Sequence, residues 1–272
     1  MRCSSTGSSG SALQQATQIT SALLTQGTLV LVILVLLASS AWGYRPFVST
    51  DAAVAERDRM EIELGYFTLA RTQGENTFLT PQAVVNYGFA RNLELVGEAS
   101  VEKPPDAGLQ LVDPALFLKA VVKEGILQEK DGVSVAVEMG PLLPSTRPGE
   151  RRFGFEGIGI VSHRVSPFTF HLNVGGGVDR EGTRPFAVWG LITELPVVPQ
   201  VRLVGEVNGE SVHGQAANNS ALLGVLWQSP LRDVVFDAGI RRGFSHGAPD
   251  WLFTTGLTFS VPLRSRESVA SR

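Results

Sequence analysis

Hydrophobic and polar side chains alternate one by one along VRLVGEVNGE, residues 201–210. Leu203 and Val207 fall on one parity, whereas Arg202 and Glu206 fall on the other. Because successive side chains of a β-strand point to opposite faces, one face of this segment is apolar and the other is charged. The pattern predicts a strand whose apolar face meets either the core of a soluble sandwich or the lipid around a membrane barrel.

The same alternation recurs between residues 60 and 263, where no stretch keeps the 3.6-residue period of an amphipathic helix. A spacing of about 19 residues per strand and connection suits strands of about ten residues that cross a membrane at a tilt. The pattern predicts about twelve strands. They are 60–71, 76–91, 93–103, 108–126, 132–142, 151–164, 168–179, 183–195, 200–211, 218–229, 232–244 and 250–263.

The connections between these segments alternate in character. Those after odd-numbered segments are polar and rich in Gly, Pro or Asn, such as RTQGEN, EKPPDAG and SVHGQAANN, whereas most of the others are tight, such as ARN and VSP. Long outer loops and short periplasmic turns are typical of even-stranded barrels with both termini in the periplasm. A soluble sandwich has no reason to alternate loop length. We therefore predict an all-β fold, an antiparallel up-and-down transmembrane β-barrel.

Charged side chains occupy the polar parity, which faces the lumen of a membrane barrel. Most are acidic. They fit either a cation-attracting lumen or an interior network of ion pairs that fills a narrow barrel and fixes its register, and the sequence leaves both open. The predicted lumen-lining residues are Glu94, Glu98, Glu102, Lys119, Glu156, Arg202, Glu206, Asp237 and Arg241. Bulky residues on the same parity, Phe117, Ile158 and Ile160, are candidates for sealing the lumen.

An apolar run precedes the predicted barrel. Residues 28–38 read TLVLVILVLLA and are followed by SSAWGYRP, the pattern of a secretory signal with its cleavage site. The run is shorter than the roughly 20 residues of a membrane-spanning helix. We expect a signal peptide over 1–43, an N-terminal extension over 44–59, the barrel over 60–263 and a polar tail over 264–272. Aromatic residues near segment ends, such as Tyr66 and Trp251, fit the interfacial girdles of a barrel.

Composition narrows the functional classes. The single cysteine, Cys3, falls in the predicted signal, so the exported chain has neither a disulfide framework nor thiol chemistry. A net charge of −3 gives no electrostatic footprint for nucleic acid. The four histidines lack metal-site spacing, and HGQAANNS, residues 213–220, fits a solvated turn in a predicted outer loop. The sequence thus predicts no cofactor, no metal, no nucleic-acid partner and no enzymatic activity.

Three stretches resemble the family named for the MetA pathway of phenol degradation, whose members are predicted outer-membrane barrels. They are RPFVSTDAA (45–53) leading into EIELGYF (61–67), TPQAVVNYGFARNLELVGEAS (80–100) and FDAGIRRGFSHGAPDWLFTTGLTFSV (236–261). The resemblance covers most of the chain after Arg45 and implies a link with aromatic catabolism. The chain departs from the family at its end, because such barrels finish on an aromatic residue whereas Leu263 is followed by RSRESVASR.

These features predict a channel or transporter in the bacterial outer membrane for small solutes, with hydrophobic or aromatic molecules as candidates. Its expected partners are outer-membrane lipid, the solutes and the outer-membrane assembly machinery. Two alternatives stay open. One is a sealed structural or interaction barrel whose outer loops bind a partner, and the other, less favoured, is an outer-membrane hydrolase.

Overall fold

The computed structural model describes residues 45–230 and 234–263. The predicted signal peptide and polar tail lie outside these residues. The described chain forms twelve strands. They are β1 (Arg59–Thr72), β2 (Glu75–Ala90), β3 (Leu93–Lys103), β4 (Gln110–Lys123), β5 (Ser134–Leu142), β6 (Gly154–Val165), β7 (Phe168–Val178), β8 (Pro185–Val198), β9 (Val201–Val212), β10 (Asn218–Gln228), β11 (Val234–Gly243) and β12 (Trp251–Pro262).

Each strand pairs antiparallel with its neighbours in the chain, and β1 pairs with β12, so the sheet closes on itself. The closing register sets Ile62 opposite Phe259 and Leu64 opposite Leu257. Closure leaves no unpaired sheet edge. The predicted fold, an antiparallel up-and-down barrel of twelve strands, is confirmed. Within the described residues, no helix combines the length and the apolar composition needed to span a membrane.

On β9, the alternation of apolar and charged residues places them on opposite faces of the barrel wall. The side chains of Leu203 and Val207 are 49% and 41% exposed on the outside of the barrel, whereas Glu206 is only 2% exposed. Large apolar side chains cover the outside on the other strands too, including Leu118 on β4 and Leu172 on β7. The apolar parity therefore faces outward, as it does in a barrel surrounded by lipid.

Two connections differ from the predicted rhythm. The segment RTQGEN contains only a two-residue turn, because Gln73 and Gly74 take φ angles of 52° and 89° and so fit a type I′ hairpin. At the opposite end of the barrel, the connection from β4 to β5 is longer than expected and includes a 3-10 helix, Ile126–Gln128. The side-chain amide of Gln128 donates to the carbonyl of Ala52 at 2.8 Å, which joins this helix to the residues before β1.

Residues 45–57 are called here the N-terminal segment, and residues 45–55 of this segment lie inside the barrel, whereas Glu56 and Arg57 are exposed. Ala52 and Ala55 are buried, with 0% and 3% exposure. The hydrogen-bond partners of the segment are inward-facing side chains on β1, β3, β6, β7, β9 and β12. Because these strands are distributed around the whole barrel, the segment crosses the interior and contacts opposite sides of the wall.

Candidate functional site

The main chain of the N-terminal segment is held by side chains of the wall. Its N–H groups donate to carboxylate, amide and hydroxyl oxygens, which satisfies donors that would otherwise be buried without a partner. The bonds are Arg45 N to Glu63 Oε2 at 3.2 Å, Ser49 N to Glu206 Oε1 at 2.8 Å, Thr50 N to Asn173 Oδ1 at 3.1 Å, Ala52 N to Ser162 Oγ at 3.0 Å and Ala55 N to Glu94 Oε2 at 2.6 Å.

Packing also holds the segment against the wall. Gly190 on β8 lies directly beside Ser49, because a Cβ at Gly190 would collide with the Ser49 hydroxyl. Phe47 packs on an apolar patch of the interior. The patch consists of Val204, Leu222, Leu226 and Val235. The inner face of β8 to β11 is thus shaped to receive the N-terminal segment.

Glu206 and Arg241, both predicted to line the lumen, form a buried ion pair at 2.5 Å. The Arg241 guanidinium also donates to the Ser220 hydroxyl at 3.0 Å and to the Asn208 side chain. The pair is 2% and 6% exposed, so neither charge is solvated by bulk water. Because Glu206 also accepts N–H groups of the N-terminal segment, this network joins the segment to β9, β10 and β11.

A second buried pair lies on the other side of the interior. Lys119 Nζ is 3.5 Å from Glu94 Oε1, and both side chains are fully buried. Lys119 also donates to the Thr50 hydroxyl at 3.0 Å and lies 4.0 Å from Asp51. Buried ion pairs of this kind require additional hydrogen bonds to offset desolvation, and the N-terminal segment supplies them here.

Asp237 and Arg202 are engaged as well. The Arg45 guanidinium lies 3.5 Å from the Asp237 carboxylate and donates to Thr254 at 2.6 Å. Arg202 pairs with Glu194, which also lies 3.7 Å from His171. Sequence reasoning did not identify Arg45, because the residues before β1 carry no strand periodicity that would assign a face. Its charge, in the segment that precedes the first strand, was the available signal.

A cavity of about 950 Å³ occupies the interior between the N-terminal segment and the outer loops. Arg45 and residues 47–50 line one end of this cavity, and loop residues such as Arg147 and Glu181 line the other. Nine carboxylate side chains and four arginines line it, so its wall is acidic. No group of three or more His, Cys, Asp or Glu in the described part of the chain is placed to hold a metal ion.

Most charges near the loop end of the cavity are paired. Arg147 lies 2.6 Å from Glu102 and 2.8 Å from Glu150, and Arg184 lies 2.7 Å from Asp179. Burial lowers the pKa of the Arg147 guanidinium, but its hydrogen bonds to Glu102 and Glu150 outweigh this effect and raise the pKa above its usual range. The predicted lining residue Glu102 is therefore engaged by a loop arginine.

Four glutamates on the cavity wall are different. Glu98, Glu138, Glu156 and Glu210 line the cavity and are half-buried. Within residues 45–230 and 234–263, their carboxylates form neither ion pairs nor side-chain hydrogen bonds. Glu98 and Glu156 belong to the predicted set, whereas Glu138 was not identified. Its position on the same parity as two small inward residues of β5 was the signal that could have found it.

Apolar side chains form a buried cluster beside these glutamates. The cluster includes Phe117 on β4, Leu142 on β5 and Phe186 on β8. Because β5 and β8 are not neighbours in the sheet, these side chains meet inside the barrel. The other two sealing candidates, Ile158 and Ile160, pack with Ala52 of the N-terminal segment. Apolar surface thus lies next to carboxylates inside the barrel.

Among known proteins, solved structures are similar to this chain. No protein-family profile matches the chain, and no curated protein matches it. The COG4313 outer membrane channel from Pseudomonas putida F1 is similar in structure, with a TM-score of 0.54, 8% sequence identity and coverage of 77% of this chain and 97% of that chain. The resemblance to the MetA-pathway family is therefore supported as far as an outer-membrane barrel, and membership of that family is not shown.

Two structures of OmpT from Vibrio cholerae also match. The loop L8 deletion mutant gives a TM-score of 0.38 at 9% identity, covering 75% of this chain and 97% of that chain. The in-vitro folded protein gives 0.34 at 10% identity, covering 79% and 100%. The prediction that the chain is not an enzyme does not stand, because a barrel fold shared with the channel at 8% identity excludes no activity. Enzymatic activity is therefore unresolved.

The closed twelve-stranded barrel, its apolar outer face and the similarity to an outer membrane channel agree with one another. Lipid is the environment that an apolar outer surface of this kind requires. The chain is a β-barrel protein of the bacterial outer membrane.

Proposed function

We propose that this barrel is a channel through which small cationic solutes cross the outer membrane. The supporting observation is the group of four glutamates, Glu98, Glu138, Glu156 and Glu210, that line the cavity without ion pairs among the described residues. Carboxylates in a confined space with protein walls attract cations and repel anions. A permeating cation supplies a counter-charge at contact distance, which the described part of the wall does not provide to these four glutamates.

The arginines of the cavity do not cancel this acidic character. Arg45 faces Asp237, Arg147 faces Glu102, and Arg184 faces Asp179. Each of these guanidinium groups is thus held by a carboxylate. Nine acidic side chains and four arginines line the cavity, so the wall carries a surplus of five acidic side chains. In this proposal Glu98 and Glu156 line the solute path, whereas Glu94 and Glu206 anchor the N-terminal segment.

The N-terminal segment is the element that a solute has to pass. It lines the end of the cavity opposite the outer loops, and its hydrogen bonds reach several sides of the wall. A second candidate function follows from the same contacts. If the segment stays in place, the barrel is sealed and has a structural or binding role, which the buried pairs around Glu94 and Glu206 favour.

Conductance measurements separate the two functions. The chain beginning near residue 44 is folded in detergent and inserted into a planar bilayer between potassium chloride solutions of different concentration. A channel of the proposed kind shows discrete current steps and a reversal potential on the cation-selective side. A compact barrel that conducts no ions would support the sealed barrel instead.

Variants test whether the cavity glutamates produce the cation selectivity. Replacing Glu98→Gln together with Glu156→Gln should move the reversal potential toward zero, because it removes two carboxylates from the path. Glu75→Gln is the matched control, since Glu75 is exposed at the β1–β2 turn and does not line the cavity. Equal reversal potentials for the double variant and the control would contradict the role given to the cavity glutamates.

A further inference from the structure

Glu156 has an unusual position in the sheet. It lies opposite Gly140 of β5 on one side and opposite Gly177 of β7 on the other. Gly177 in turn lies opposite Phe186 of β8. Gly140 lies against Phe117 of β4, because a Cβ at Gly140 would come within 2.8 Å of the Phe117 Cα. The order across five neighbouring strands is therefore ring, glycine, carboxylate, glycine, ring.

The two glycines leave the positions beside the carboxylate without side chains. Since neighbouring strands are about 4.8 Å apart, each aromatic residue lies about two strand spacings from Glu156 along the wall. Phe117, Glu156 and Phe186 all line the same cavity. The cavity volume of about 950 Å³ is large enough for a small organic molecule. We call these three residues the carboxylate-ring site.

The charges near the site are mostly negative. Glu156 interacts electrostatically with Glu138, Glu210 and Arg180. Arg180 is held at the edge of the cavity, where its guanidinium donates to the carbonyls of Leu143 at 2.9 Å and Pro114 at 3.0 Å. Its remaining nitrogen lies 3.6 Å from Asp113. The guanidinium thus contacts these other groups, and among residues 45–230 and 234–263 no positively charged side chain forms an ion pair with Glu156.

We propose that the carboxylate-ring site binds small organic cations, that is, ammonium groups that carry an aromatic or apolar substituent. A carboxylate attracts the charge, and aromatic faces attract both the cation and its substituent. The apolar neighbours Val96, Leu142 and Val212 extend the surface on which the substituent packs. An inorganic cation uses only the carboxylate, and a neutral aromatic molecule uses only the rings. This inference rests on the proposed channel function and names its solute class.

Three probes test the combination of charge and ring. Benzylammonium carries both, methylammonium carries only the charge, and benzyl alcohol carries only the ring. Binding to the folded barrel is measured by titration calorimetry, and block of the potassium current is measured in bilayers. We expect benzylammonium to bind about tenfold or more tightly than either single-feature probe, since charge and ring contacts act together. Equal binding of benzylammonium and methylammonium would overturn the site.

Matched variants locate the binding. Phe117→Leu and Phe186→Leu should each weaken benzylammonium binding about threefold or more and leave methylammonium binding unchanged. Phe155→Leu is the control, because the Phe155 ring is exposed on the outside of the same strand as Glu156. Glu156→Gln should weaken the binding of both benzylammonium and methylammonium. If that variant does not fold, the phenylalanine variants and the three probes still decide, because they leave every charge in place.

The two proposals fail in different ways. A cation-selective current that benzylammonium does not block, together with calorimetry that shows no preference for benzylammonium, leaves the channel intact and refutes the site. Tight benzylammonium binding to a barrel that passes no current would refute the proposed channel function but would support the carboxylate-ring site. Loss of the preference in the Phe155→Leu control would place the binding outside the barrel and refute the site.

Discussion

The carboxylate of Glu206 accepts the main-chain N–H of Ser49 at 2.8 Å while the same carboxylate pairs with Arg241. One side chain of β9 therefore neutralises a buried charge of the wall and also anchors the N-terminal segment. The N–H of Val48 points to the same carboxylate at 3.1 Å. A substitution at Glu206 therefore tests directly how the N-terminal segment is held.

Replacing Glu206→Gln should loosen the N-terminal segment and leave the barrel closed. An amide keeps an acceptor oxygen, but it removes the charge that strengthens the bonds to Val48 and Ser49 and that neutralises Arg241. Amide hydrogen exchange at residues 48–50 should become about tenfold or more faster, which corresponds to about 1.4 kcal/mol. Mass spectrometry of the exchanged protein measures this rate. Glu75→Gln serves as the control, and unchanged exchange in the Glu206 variant would show that the Glu206 carboxylate does not hold residues 48–50 in place.

Replacing Lys119→Met should destabilise the barrel. The change leaves Glu94 fully buried without its cationic partner, and breaking a buried pair in this way costs about 3–5 kcal/mol. The midpoint of urea unfolding in lipid vesicles measures the loss. The double variant Lys119→Met with Glu94→Gln should recover most of it, because it buries no unpaired charge and keeps an oxygen for the Ala55 N–H. A double variant as unstable as the single one would contradict this account.

Replacing Arg147→Gln should increase cation selectivity. Arg147 holds Glu102 and Glu150 at the loop end of the cavity, and its loss frees both carboxylates to act on permeating ions. The reversal potential under a salt gradient should move further to the cation-selective side. Arg152→Gln is the control, since Arg152 is exposed on the same loop and does not line the cavity. A shift toward zero would indicate that Arg147 is not a counter-charge of the path.

The barrel could be predicted from the sequence because a period of two fixes which face each strand residue occupies. Glu206 and Leu203 lie on opposite sides of the wall, as their parity indicates. Loop lengths were less predictable, since the turn at Gln73 and Gly74 depends on left-handed backbone conformations that let the strands extend into the expected loop.

The location of the N-terminal segment could not be predicted. Its partners, such as Asn173 and Glu206, are more than 100 residues away in sequence, and nothing in residues 45–57 repeats with a strand period. The sequence also did not show which acidic side chains form ion pairs. Glu94 and Glu98 share one face of one strand, yet only Glu94 meets a lysine, because the register of β4 sets Lys119 opposite Glu94 and Ala115 opposite Glu98.

The distribution of those partners has a consequence for biogenesis. Ala55 binds to β3, Ser49 binds to β9, and Arg45 reaches Thr254 of β12, 209 residues further along the chain. These acceptors come together only when the last strand has joined the first. Among the described residues, the part of the chain that is synthesised first therefore cannot complete its contacts before the last strand is in place. The fully bound N-terminal segment is therefore a sign that β1 and β12 have paired and the barrel has closed.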